Sequence, residues 1–421
     1  MASRNYKALI ATASVPLIMT LGNSILIPVL PTLQRVLKVS SLQISMLITV
    51  YSVAAILMIP LAGYLSDRFG RKRIMIPSLI IAGVGGLVSG LAPLFAGEAV
   101  YGVILAGRLI QGIGAAGAAP IVMPLVGDMY KSEKEVSGAL GIVETSNTLG
   151  KVVSPILGAL LALWTWTALF LSIPIFCLVS ILLILFFIHV PSRDNKQQAQ
   201  SIRDFVATLV KTAKAEGRWL SAIFIIGATA MLVLFGVLFY LSEVLEEVYK
   251  MTGVLKGAML AIPLSALCLS SYLSGKWIGE SKPHMKWVSL IGLALLTAAL
   301  IVIASTESQA IWLLFLCMGV GGIGIGAALP CMDALITEGI DKEQRGTVTS
   351  LYSSMRFIGV AAGPPLVSIG MSRFPDWLFY GLAGLTILSI LYGLVAIKPG
   401  DGSESDREPA PARLQQSKSP T

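Results

Sequence analysis

Residues 63–73 read Gly-Tyr-Leu-Ser-Asp-Arg-Phe-Gly-Arg-Lys-Arg. The stretch sets the charges of Asp67, Arg68, Arg71, Lys72 and Arg73 and two glycines, Gly63 and Gly70, between apolar runs at 42–61 and 74–93. Each run is long enough to cross a bilayer, which takes about 20 apolar residues. A short basic turn between two such runs reads as a loop at a membrane face. The rest of the chain is read on that footing, as a polytopic membrane protein.

Composition agrees. Of 421 residues, 55% are hydrophobic and only 13% are charged; soluble chains carry about 25% charge. The net charge of +8 comes from basic residues in short loops on alternate sides of the apolar runs. That pattern is an orientation signal, and it argues against a nucleic-acid partner. Cys177, Cys268, Cys317 and Cys331 all lie in apolar runs without metal-ligand spacing. They read as small buried hydrophobes, so no metal site is expected.

Outward from the turn, twelve spans fit, near 8–31, 43–64, 74–93, 98–126, 137–161, 167–190, 219–242, 253–275, 287–305, 309–337, 347–371 and 377–397. The fold class is all-α and polytopic: two pseudo-symmetric bundles of six helices. The first run follows Met-Ala-Ser-Arg-Asn-Tyr-Lys with no evident cleavage site and reads as a retained span. With the N-terminus in the cytoplasm, the outer loops hold only Arg35, Lys38, Lys250 and Arg373, with Lys256 at the outer end of a span. Both termini are therefore expected inside, in a bacterial plasma membrane. The chain divides into a first bundle at 1–190, a cytoplasmic central loop at 191–218, a second bundle at 219–397 and a disordered cytoplasmic tail at 398–421. Within the loop, 202–215 is amphipathic and suits the inner membrane surface. The halves echo each other. Gly112-Ile113-Gly114 followed by Pro120 returns as Gly322-Ile323-Gly324 followed by Pro330, and Gly150-x-x-x-Ser154-Pro155 returns as Gly359-x-x-x-Gly363-Pro364. Two matches at nearly one offset indicate duplication, the layout of a large class of transporters.

Charges inside spans are costly and usually face a cavity or a partner. Five qualify: Arg108, Glu144, Lys151, Asp333 and Arg356. Glu144 and Lys151 share a helix face two turns apart, about 10 Å along the axis, too far for a tight pair. They are expected to share Arg108 or water. Glu144 is the first candidate for a proton carrier, with neutralisation of a nearby cation as the alternative; Asp333 is the second. Asn23 is a polar lining residue or a helix–helix hydrogen-bonding group. Three interior cations against two carboxylates lean toward an anionic or catecholate-like cargo. The loop glycines Gly63 and Gly70 allow close backbone approach, and Asp67 can pair with a basic neighbour or with a helix N-terminus of the other half.

The loop Gly63-x-x-x-Asp67-Arg68-x-Gly70-Arg71-Lys72 resembles the cytoplasmic signature of the major facilitator superfamily, and Arg108-x-x-Gln111-Gly112-x-Gly114 resembles its second signature. Gly150-x-x-x-Ser154-Pro155-x-x-Gly158-Ala159 looks like the antiporter signature of its twelve-span drug:proton exporters, with serine and alanine at two positions where that family has glycine. The resemblance covers about residues 8–397. It implies a conformational latch at 63–72 that favours the outward-open state. It also implies a proton-driven exporter with no cofactor, acting as a monomer on small amphiphilic molecules: drugs, or a secreted metabolite such as a siderophore. A proton-coupled uptake symporter for a sugar or organic acid is the alternative. A channel or receptor fits a duplicated two-state bundle less well. An enzyme is not expected, because no catalytic constellation appears.

Overall fold

The computed structural model describes residues 2–130, 133–188, 202–277, 281–306, 310–340 and 342–397. The expected tail at 398–421 and residues 191–201 of the expected central loop lie outside the described residues. The described chain is helical throughout, with α1 (Ala2–Ser24), α2 (Leu30–Leu37), α3 (Ser41–Phe69), α4 (Arg71–Phe95), α5 (Val100–Ala116), α6 (Ala119–Met129) and α7 (Glu133–Ala162) in order. Then follow α8 (Ala168–Phe187), α9 (Ile202–Glu247), α10 (Gly253–Trp277), α11 (Lys282–Ser305), α12 (Ile311–Gly339), α13 (Lys342–Arg373) and α14 (Leu378–Ala396).

Ten stretches among the described residues are long and apolar enough to cross a membrane. Helices α7 and α13, 30 and 32 residues long, are outside that set. At 1.5 Å per residue both still exceed a hydrocarbon layer of about 30 Å. They are the more polar helices because they carry Glu144, Lys151 and Arg356, and they bring the spans to twelve.

Three spans differ from a simple rod. The first breaks after Ser24 into a 3-10 turn at Ile27–Val29 and restarts as α2. Pro28 and Pro31 sit at the starts of those two pieces, where a missing N–H costs nothing. The fourth breaks between α5 and α6, with Pro120 opening the second piece. The amphipathic stretch at 202–215 does not lie apart from the seventh span; it continues into it as one helix of 46 residues.

Local signals explain the starts and turns. Ser40 and Gln43 form a reciprocal capping box at the head of α3, at 3.1 and 2.9 Å. Gly70 alone joins α3 to α4 at a φ of 98°, a conformation that favours glycine.

In the first half, α1 packs on α7 and α8, α3 on α5, and α4 on α5 and α8. In the second, α9 packs on α13 and α14, α10 on α12, and α11 on α12 and α14. The duplicated glycines sit at equivalent crossings. A Cβ on Gly112 would meet the Tyr51 carbonyl oxygen across α5 and α3, and one on Gly322 would lie 2.6 Å from the Pro263 carbonyl oxygen across α12 and α10. A Cβ on Gly150 would likewise lie 2.9 Å from the Leu17 carbonyl oxygen of α1, and one on Gly359 would meet the Ala228 carbonyl of α9. The small residues let backbones touch. The halves meet mainly where α3 packs on α13 and α7 on α10. A Cβ on Gly257 of α10 would lie 2.9 Å from the Ala159 Cβ and 3.0 Å from the Pro155 carbonyl carbon of α7.

Candidate functional site

Three groups of charges are set along the molecule: one inside the first half, one in the middle between the halves, and one at the end opposite the basic loop.

Arg108, wholly buried on α5, holds the first. Its Nε donates to the Leu47 carbonyl at 2.8 Å, Nη1 to Gln111 Oε1 at 2.6 Å and the Gly22 carbonyl at 3.2 Å, and Nη2 to Asn23 Oδ1 at 2.7 Å. The guanidinium carbon stands 4.5 Å from the centre of the Tyr51 ring. Each acceptor is neutral. The expectation that Glu144 shares Arg108 is therefore corrected: α1, α3 and α5 supply enough acceptors to satisfy the fork. Asn23 is the helix–helix hydrogen-bonding group of its two readings, and it ties the broken end of α1 to α5.

The middle group is built by α7, α12 and α13. Arg356 Nη2 lies 3.8 Å from Glu144 Oε1, and its Nη1 lies 3.5 Å from Asp333 Oδ1. One guanidinium thus bridges a carboxylate of each half. Asn147 Nδ2 donates to Glu144 Oε1 at 3.2 Å, and Thr20 of α1 donates to Asn147 Oδ1. The side chains of Arg356, Glu144 and Asp333 keep 14%, 16% and 18% exposure, so a crevice reaches them. Lys151, one further turn along the same face of α7, is 5% exposed, and its Nζ has no hydrogen-bond partner among the described residues. Ser154 Oγ donates to the Lys151 carbonyl at 3.0 Å. Gly150 fits against the Leu17 carbonyl, so α7 lies flush on α1 around the site.

At the opposite end, Glu246 of α9 is almost fully buried and takes Lys256 Nζ of α10 at 2.7 Å, Thr32 Oγ1 at 3.2 Å, and Arg35 of α2. Arg35 also reaches Glu247 at 3.3 Å. Ser41 Oγ donates to Glu243 Oε1 at 2.7 Å, and Ser242 Oγ donates to the Ile27 carbonyl at 2.7 Å. All but the Lys256 bond cross between the halves. Residues 21–31 are buried without interruption, so this end is sealed. Sequence alone does not single out Glu243 or Glu246, and it reads Arg35 as a loop charge and Lys256 as a charge at the outer end of a span. The available signal is three carboxylates at the end of a span, with Glu246 and Glu247 one turn beyond Glu243.

The basic loop is organised within the first half. Arg71 pairs with Asp67 at 2.5 Å and Asp128 at 3.3 Å and donates to Ser66 Oγ at 2.7 Å. Arg68 donates to Tyr64 Oη at 3.3 Å, and Lys72 to the Ile188 carbonyl at the end of α8 at 2.9 Å. Asp67 thus meets a basic neighbour. Gly63 meets the other half, where a Cβ would lie 3.1 Å from Ser350 Oγ of α13.

The Major Facilitator Superfamily model matches residues 12–364 and 284–420. The chain belongs to the major facilitator superfamily. It is 52% identical over 404 residues to the bacillibactin exporter of Bacillus subtilis (strain 168), covering 96% of this chain and 98% of that one. It is 23% identical over 383 residues to the multidrug resistance protein Stp of Mycobacterium tuberculosis (strain CDC 1551), covering 79% and 70% of the two. Among solved structures, the human organic anion transporter MFSD10 superposes with a TM-score of 0.73 at 20% identity, covering 92% of this chain and 99% of that one. The proton:xylose symporter XylE superposes at 0.70 and 15% identity, covering 93% and 95%. Those two likenesses show the superfamily fold. The chain is a multi-pass membrane transporter of that superfamily.

Proposed function

We propose that this transporter exports a small amphiphilic molecule in exchange for protons, and that its cargo is a secreted siderophore. The observation that carries the exchange reading is the Glu144–Arg356–Asp333 cluster, which spans the two halves while the far end is sealed. The cargo reading rests on the full-length likeness to the bacillibactin exporter.

The excess of basic residues assigns the loop at 63–73 to the cytoplasm. The sealed end then faces out, and the crevice to Glu144 faces in. Glu144 is the proton carrier, with Asp333 beside it on the same guanidinium. With the inner side open, Glu144 has lost its proton to the cytoplasm and pairs with Arg356, the central charge contact between the halves, and the site takes up cargo. Cargo closes the inner side, the outer bonds of Arg35 and Ser41 part, and cargo leaves. A proton taken onto Glu144 from outside then breaks the pair and carries the empty chain back. Protons move in and cargo moves out, with no cofactor and with one chain sufficient for the cycle.

The test compares metabolites inside and outside cells, with and without the gene, in iron-poor and iron-rich media. Retention of one chelator inside the deletion strain supports the siderophore reading. Normal secretion of every chelator, with new sensitivity to several unrelated toxic compounds, replaces it with a broad drug exporter.

A further inference from the structure

Lys151 stands apart from the other interior charges. Each guanidinium nitrogen of Arg108 donates to a neutral acceptor, and Arg356 lies between two carboxylates. The Lys151 ammonium is equally deep, yet none of its three donors is used within the described residues. A buried ammonium without a partner is strongly unfavourable. Burial and orphaned donors together leave this group open to a partner from outside the chain.

The surroundings define what that is. Glu144, Asn147 and Lys151 succeed one another along one face of α7, leading inward from the crevice. Thr148, one residue aside, accepts from Cys268 Sγ of α10 at 3.6 Å, so the other half closes over the same face. Glu144, Asp333 and Arg356 all lie within electrostatic reach of Lys151. A cationic cargo would have to take a carboxylate from Arg356 and bring a third positive charge beside two. A cargo with an anionic oxygen meets the ammonium without breaking any ion pair. A neutral hydroxyl gives only a weaker, singly charged hydrogen bond.

We propose that Lys151 anchors the cargo by its acidic oxygen, a carboxylate or an ionised phenol, at the head of the Glu144–Asn147–Lys151 ladder. This deepens the exporter reading and rests on it for the word cargo; the anion site itself is a separate physical claim. With a proton on Glu144 and no cargo, the four charges sum to one positive. With the proton gone and an anion bound, they sum to one negative. Exchange therefore alternates between two states of opposite unit net charge.

The experiment uses the full chain in lipid nanodiscs and two dyes on one xanthene frame, anionic fluorescein and cationic rhodamine 123, read by fluorescence anisotropy. Wild type binds fluorescein saturably. Lys151→Gln weakens that binding about 10- to 100-fold, the worth of one hydrogen bond to a charged group. Lys151→Arg, which keeps the charge, stays within a few-fold of wild type and shows that the fold survives change at this position. Rhodamine 123 binding does not fall in Lys151→Gln. Equal fluorescein affinity in wild type and Lys151→Gln overturns the assignment and leaves Lys151 as a water-bound structural group. Absence of saturable fluorescein binding to wild type overturns it as well. Lys151-dependent binding without proton-driven movement in everted vesicles upholds the anion site and removes the exporter reading alone.

Discussion

Replacing Arg35 by glutamine and, separately, Glu246 by alanine should separate a movable contact from a fixed one at the sealed end. The Arg35 side chain is 57% exposed while that of Glu246 is 2% exposed. A contact with one solvated partner is worth about 0.2–1 kcal/mol. Loss of it should raise the outward-open population relative to the closed one by roughly 1.5- to 5-fold. Glu246 is different, because Lys256 is 1% exposed and depends on it. Removing Glu246 strands a buried ammonium, a cost of about 3–5 kcal/mol. Lys256 thus neutralises Glu246 when Arg35 departs, and the seal opens without uncovering a buried charge. The assay is a spin-label distance distribution between cysteines placed at Val36 and Val248. Both residues are exposed, on opposite halves beside the contact. Arg35→Gln should enlarge the long-distance population and leave the thermal transition near wild type. Glu246→Ala should lower the thermal transition markedly. The reasoning fails if Arg35→Gln leaves the distribution unchanged, or if the two variants lose stability alike.

Gly112→Ala and Gly322→Ala should each destabilise the protein by about 1–3 kcal/mol, since each new methyl meets a backbone carbonyl. Gly102→Ala in the same helix as Gly112 has open space and should be neutral or mildly stabilising; thermal unfolding of the three in detergent checks the contrast. Arg108→Lys should cost about 2 kcal/mol or more, because one ammonium cannot serve acceptors on three helices. Combined with Glu144→Gln it should be additive within about 0.5 kcal/mol, as expected of groups that share no partner. A coupling above about 1 kcal/mol would restore the shared arrangement expected from sequence.

The membrane character and the halving of the chain were legible because both follow from period and length. Apolar runs of spanning size flank a charged loop at 63–73, and Gly112 and Gly322 mark equivalent crossings 210 residues apart in a single register. The interior charges were legible as types, since a charge in an apolar run is conspicuous. Their partners were not. Arg108 takes two of its acceptors from the backbone carbonyls of Gly22 and Leu47, which leave no trace in a sequence. Arg356 reaches Glu144 only because α13 and α7 meet between the halves. The sealed end was missed for a similar reason. Arg35 and Glu246 belong to different halves, and charges near span ends look like orientation signals until the bundles are closed on each other. The polarity of α7 and α13 placed them outside the apolar set, although that polarity is what the site requires.

The most direct test of proton-coupled export uses everted vesicles and the chelator retained by the deletion strain. With an acidic lumen, wild type should accumulate that chelator, and collapse of the proton gradient should stop it. Glu144→Gln should lose the dependence on the gradient while retaining exchange of labelled for unlabelled chelator. Accumulation driven instead by an alkaline lumen, or unchanged by collapse of the gradient, would contradict proton exchange and favour an uptake symporter or a passive carrier.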